Sequence, residues 1–189
     1  MASLSFSSLL HSTLYLFILF ISLHTLSSPM FMTANADEGL IQRTCYNTPH
    51  HDLCVNSLKA NHSSRETDVV GLALIMVRAA MYSTNITCSQ LESLKRGATD
   101  ENSLEVIELC KDLYGAGAST FLRLAAGRLE KHKEYRLAYT YVNTTMWYAE
   151  GCYQGFVERD MFYPPLLTRR KVELIELCEI AKSIIFRLF

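Results

Sequence analysis

Residues 1–36 contain no Lys, Arg, Asp or Glu. Within them Leu14 to Leu23 is an apolar run of about ten residues, too short to cross a bilayer, which takes about 20. Ala34-Asn35-Ala36 has the small-x-small form of a signal-peptidase site. Residues 1–36 therefore read as a cleaved secretory signal and residues 37–189 as one domain large enough for a real hydrophobic core. An uncleaved membrane anchor is the alternative, because the usual positive charges ahead of the run are missing too.

Net charge is also lacking. The 18 Lys and Arg are balanced by 19 Asp and Glu, a formal charge of -1, which argues against nucleic acid or an anionic membrane as partner. Proline is scarce: none occurs between Thr67 and Pro164. That span is rich in Leu, Ala, Met and Glu and has almost no strand signature, so it points to long helices.

What is present begins with Leu40 to Leu58, which holds Cys45 and Cys54. Leu40 to Cys45 has one apolar edge. Thr48-Pro49 is a helix-start signal, since a Thr oxygen can cap orphan N–H groups and proline fits the first helical position. Asp52 then lies in the first turn, where the helix dipole favours an acid. A hairpin this small buries little, so a Cys45–Cys54 disulfide is its natural staple, and an oxidising compartment follows from it.

The polar Lys59 to Glu66 reads as a loop offering Ser63 or Ser64 as a cap. Four long helices follow. The first runs from about Thr67 to Lys95 with Val77, Met81, Cys88 and Leu91 on one stripe. The second runs from Asn102 or Ser103 to about Lys131, with Leu104, Ile107, Cys110, Tyr114, Ala118, Phe121, Ala125 and Leu129 spaced three or four apart. Gly115 and Gly117 inside it cost stability unless a neighbouring backbone approaches closely. The third, about Tyr135 to Val157, carries Ala138, Val142, Thr145, Ala149, Cys152 and Phe156. The fourth, Thr168 to Phe189, has a heptad-like seam of Leu174, Cys178, Ala181, Ile185 and Leu188. Short turns make the helices antiparallel. The expected fold is all-α, an up-down-up-down four-helix bundle preceded by a disulfide-stapled helical hairpin.

Six cysteines allow fifteen pairings, and helix geometry narrows them. At ~1.5 Å per residue Cys110 stands about 31 Å from residue 131 and Cys152 about 27 Å from residue 134. The two share a level and face inward, which pairs Cys110 with Cys152. Cys88 and Cys178 are read as free core thiols, although antiparallel helices could bring them within ~10 Å in height.

Secretion gives meaning to three glycosylation sequons, at Asn61, Asn85 and Asn143. Asn143 lies off the apolar stripe, so a glycan there is expected to point to solvent. For catalysis the residues offer little: His50-His51-Asp52 is the only cluster, and adjacent helical residues point about 100° apart, so they do not face one metal ion. Nothing calls for a metal or cofactor. Two stretches suit a protein partner: the turn Lys131, His132, Lys133, Glu134, Tyr135 with Arg128 and Arg136 beside it, and Phe162-Tyr163 before Pro164-Pro165.

A secreted bundle of this kind resembles the plant invertase and pectin methylesterase inhibitor family. The resemblance is carried by Ile41-x3-Cys45-x2-Thr48-Pro49-x4-Cys54-x2-Ser57-Leu58, by Asp68-x2-Gly71-Leu72-Ala73-Leu74-Ile75-Met76-Val77, by Glu108-Leu109-Cys110-x2-Leu113-Tyr114, and by Tyr135-x2-Ala138 and Cys152-x3-Phe156. The Thr44 to Thr48 and Gly71 to Val77 runs look more like the invertase-inhibitor branch. Where those inhibitors carry Pro-Lys-Phe, this chain reads Lys131 to Tyr135, and where the family has Ser-Ala-Ala it reads Asn143-Thr144-Thr145. The resemblance implies a non-enzymatic inhibitor secreted to the apoplast, or to the vacuole, that forms a 1:1 complex with a carbohydrate-active enzyme. An acid invertase is the expected target and pectin methylesterase the alternative; a non-inhibitory pollen-type relative is a third reading. On the invertase reading Lys133 would meet the enzyme's catalytic carboxylates and Tyr135 would take the place of the family's Phe.

Overall fold

The computed structural model of the chain describes the backbone from Met30 and the side chains from Glu38, His132 excepted. The apolar run of the expected signal segment falls outside the described residues. Of the unit that ends at Ala36, only the helical backbone of residues 30–36 is described.

Among the described residues every regular element is a helix and there is no strand. Helix α1 (Met30–Cys45) and α2 (His51–Lys59) make the hairpin, and a disulfide joins Cys45 to Cys54 with their Cα atoms 5.7 Å apart. Thr48 does not cap α2. Its backbone N–H and its hydroxyl both donate to the Cys45 carbonyl, at 2.9 and 2.8 Å, so Thr48 closes α1 instead. Pro49 is likewise not the first helical residue. His50 sits in the left-handed region at φ 58°, which interrupts the chain direction, and α2 starts only after it. The His50 ring lies 2.7 Å from Glu179 and 3.7 Å from Glu176, tying the hairpin to the last helix.

A 3-10 turn, His62–Glu66, leads to α3 (Val69–Gly97). The cap is Asp68 rather than Ser63 or Ser64, its carboxylate accepting the Gly71 N–H at 2.9 Å. The next helix starts the same way, with Asp100 accepting the Ser103 N–H at 2.8 Å. That second rod is continuous but not uniformly α: α4 (Glu101–Asp112) widens into a π segment (Leu113–Ala118), tightens into α5 (Ser119–Gly127), and widens again at Arg128–His132. A π turn carries one extra residue and redirects side chains. The first widening holds Gly115 and Gly117, and the close neighbour of Gly117 is a ring rather than a backbone: a Cβ there would lie 2.4 Å from Tyr148.

Helix α6 (Tyr135–Val157) and α7 (Pro165–Phe186) complete the bundle. Pro165 takes the first position of α7, where its missing N–H costs nothing, so the helix opens three residues before Thr168. Each long helix packs on its chain neighbours, and α3 closes against α7. The expected stripe of α6 is buried throughout, from Ala138 to Phe156. On α7, Leu174, Cys178, Ala181 and Ile185 are fully buried while Leu188 lies past the helix end and is half-buried. A second disulfide joins Cys110 to Cys152, Cα to Cα 4.7 Å. Cys88 and Cys178 carry free thiols.

Candidate protein-docking surface

The turn from Lys131 to Tyr135 stands out from the bundle end because of its backbone. Lys133 is left-handed at φ 51° and closes the second rod. The Glu134 N–H reaches back to the Arg128 carbonyl at 3.2 Å. The same two residues are joined through their side chains, the Arg128 guanidinium donating to the Glu134 carboxylate at 2.7 Å. Glu130 is held by Arg78 from α3. Acids near the turn are thus neutralised from within. Lys131 and Lys133 are exposed and form no ion pair among the described residues. Tyr135 is half-buried against the core; the side chain of His132 is outside the described set.

Lys133, Glu134, Tyr135, Arg136, Leu137 and Phe189 line a shallow groove of about 480 Å³. The Arg136 guanidinium sits over the Phe189 ring at 4.8 Å, a cation–π arrangement that holds both in place.

The second candidate stretch divides. Phe162 is 80% exposed. Tyr163 is structural: its ring meets Tyr153 and Phe156 edge-on, both at 5.2 Å, and its hydroxyl donates to the Leu167 carbonyl at 3.3 Å beside the Cys152 sulfur. Burial pushes the pKa of that phenol up, and burial raises Tyr114 as well, with the Tyr163 phenol as the next contributor. Both hydroxyls stay protonated and serve packing.

Of the sequons, Asn85 is exposed on α3 and Asn61 caps the 3-10 turn, its side-chain oxygen accepting the Ser63 N–H at 3.0 Å. Asn143 departs from expectation. It is half-buried, and Lys182 on α7 donates to its side-chain oxygen at 2.9 Å, because the flank of the α6 stripe is covered by the neighbouring helix.

The His50-His51-Asp52 cluster scatters: His51 pairs with Asp52 at 3.1 Å while His50 turns to the α7 glutamates. Among the described residues no group of three or more His, Cys, Asp or Glu side chains is arranged to hold a metal ion. Burial pushes the Cys178 thiol up to about 12 and raises Cys88, the latter offset in part by Lys111. Neither thiol is set up as a nucleophile, since the reactive form is the thiolate.

Trp147 stands outside both candidate stretches. The single tryptophan is 71% exposed in mid-α6, flanked two positions away by buried Thr145 and Ala149. Its place off the apolar stripe was the available signal, since an exposed Trp is uncommon and favours interfaces. Thr140, seven residues earlier, is exposed on the same face, as the 3.6-residue period requires.

The family model described as plant invertase/pectin methylesterase inhibitor matches residues 39–184. The chain is similar to pectinesterase inhibitor 28 of Oryza sativa subsp. japonica, 29% identical over 168 residues, covering 84% of this chain and 73% of the relative. Two solved structures share the fold. One is mutant form A of a pectin methylesterase inhibitor from Arabidopsis, with TM-score 0.62, 21% identity, 75% of this chain and 92% of the other. The second is a pectin methylesterase inhibitor from Arabidopsis thaliana, with TM-score 0.59, 21% identity, 79% and 95% covered.

Proposed function

Since the chain belongs to the plant invertase/pectin methylesterase inhibitor family, we propose that it is a secreted protein inhibitor of a pectin methylesterase, docking on the enzyme in a one-to-one complex. The observation that carries the choice of target is the match over 84% of the chain to a relative named as a pectinesterase inhibitor. This reverses the sequence-based lean towards an acid invertase. The runs behind that lean are mostly scaffold: Thr44, Thr48, Leu72, Ala73, Ile75, Met76 and Val77 are buried and govern packing, while Tyr46 between them is exposed.

The contact surface in this reading runs from the Lys131 to Tyr135 turn along α6 to Thr140 and Trp147. From residue 135 to residue 147 is about 18 Å at helical rise, within one standard interface of about 800 Å² per partner. Lys133 supplies an unpaired cation and Trp147 an aromatic anchor. Size-exclusion chromatography of the purified protein with a pectin methylesterase at acidic pH tests this. Both should elute as one complex, and Lys133→Ala or Trp147→Ala should weaken it. Co-elution with an acid invertase instead of the esterase would reverse the target, and a complex indifferent to both substitutions would move the contact elsewhere.

A further inference from the structure

At the hairpin end of the bundle three aromatic rings form a ridge. Tyr139 lies 6.0 Å from Phe186 and 6.1 Å from Phe189, and the two phenylalanines are 5.5 Å apart. Phe186 is 59% exposed. The ridge is not a bare apolar patch, because cations flank it on both sides. On one side is the groove with Lys133 and Arg136, the Arg136 guanidinium 4.8 Å above Phe189. On the other is a second shallow groove of about 370 Å³ lined by Asn47, Tyr139, Lys182, Ser183, Phe186 and Arg187. There the Lys182 ammonium is 5.7 Å from the Tyr139 ring, and Arg187 donates to the Arg43 carbonyl at 3.4 Å.

Four cations line the two grooves against one acidic side chain, Glu134, which Arg128 already holds. The occupant this charge fits is anionic. It is also extended, because it must span two grooves across a ridge. It presents flat C–H faces, because rings stand between the cations, and its anions are carboxylates, which the planar Arg fork and the Lys ammonium bind by charge-assisted hydrogen bonds. Ser183 and Asn47 add donors suited to hydroxyls. We propose that this ridge and its two grooves bind a carboxylated oligosaccharide, a uronic acid chain, with sugar faces on Phe186 and Phe189 and carboxylates on Arg136, Lys182 and Arg187. This site does not rest on the inhibitor reading: Phe186, Arg187 and Lys182 lie outside the proposed docking surface, and only the Lys133 groove borders the docking turn.

The test titrates the purified secreted protein calorimetrically with a short oligogalacturonate, with its fully methyl-esterified counterpart, and with phosphatidylserine vesicles. Oligogalacturonate should bind, and the ester, which has the same rings and no charge, should bind at least about tenfold more weakly. Binding should fall as salt shortens the screening length. Arg187→Gln and Phe186→Ala should each weaken it by about tenfold. Circular dichroism and melting establish that the variants are folded. Arg187 lies just past the end of α7, so its substitution leaves the core intact. Pectin methylesterase inhibition by the same two variants should match the unaltered protein, which separates this site from the docking surface. No binding of oligogalacturonate, equal binding of the ester, undiminished binding by the folded variants, or binding to the vesicles alone would each overturn the proposal.

Discussion

Lys182 on α7 donates a hydrogen bond to the side-chain oxygen of Asn143 on α6 across 2.9 Å, so one of the three glycosylation acceptors is already engaged in helix packing. A glycan on its nitrogen would have to leave from between two helices. Glycopeptide mapping of the secreted protein should find sugar at Asn61 and Asn85 and little at Asn143; full occupancy at Asn143 would show that the α6–α7 contact opens in solution.

The two disulfides should differ in weight. The Cys110–Cys152 bridge closes a loop of sequence separation 42 and the Cys45–Cys54 bridge one of 9. Chain-entropy reasoning gives about 4 kcal/mol for the first and about 2.6 kcal/mol for the second. Denaturant unfolding of the two double Cys→Ala variants should rank in that order, and the reverse ranking would mean that the hairpin, not the bundle, limits stability.

Two glycines in the second rod should respond to alanine with opposite signs. At Gly117 a Cβ meets the Tyr148 ring at 2.4 Å, whereas at Gly127 nothing lies within 4 Å. Gly117→Ala should destabilise by roughly 1–3 kcal/mol through overpacking, and Gly127→Ala should stabilise by about 0.5–1 kcal/mol through helix propensity and reduced unfolded-state freedom. Melting of the two variants checks both signs.

Much of the bundle was legible because its signals are periodic. The stripe Ala138 to Phe156 marks one face of α6 without interruption, and helical rise brings Cys110 level with Cys152. What was not legible depends on non-periodic detail. The two π segments leave the three- and four-residue spacing of apolar residues unchanged, with only Gly115 and Gly117 hinting at the first. The caps fell to Asp68 and Asp100 because several Ser and Asn nearby satisfy the same rule, and the geometry that selects among them is tertiary. Thr48 was misread for a similar reason: its hydroxyl serves either an N-cap or a preceding carbonyl, and the left-handed His50 decides it. Asn143 shows that a position off the stripe need not face water when a long side chain of the adjacent helix, here Lys182, reaches it. Of the proposed docking surface, the turn comes from family position in the sequence, while the exposure of Trp147 is revealed only by the fold.

The free thiols give a pH-dependent prediction. Burial raises Cys178 from its ordinary value of 9.0 to about 12, so the folded state keeps this thiol protonated where the unfolded chain ionises. Its contribution to stability is complete below pH 9 and is lost as pH rises towards 12. At pH 8 a thiol reagent should react slowly with half-buried Cys88 and leave Cys178 untouched until denaturant is added, when two thiols should titrate. No thiol after denaturation would mean that the pair is oxidised, and rapid reaction of both in the native state would contradict the buried seam.

The most direct measurement of the central claim is the rate of methanol release from methyl-esterified pectin by a pectin methylesterase as the purified protein is added at acidic pH. The account predicts a rate that falls to near zero at one equivalent of protein, with sucrose hydrolysis by an acid invertase unaffected. An esterase rate unchanged at molar excess, or loss of invertase activity in its place, would contradict it.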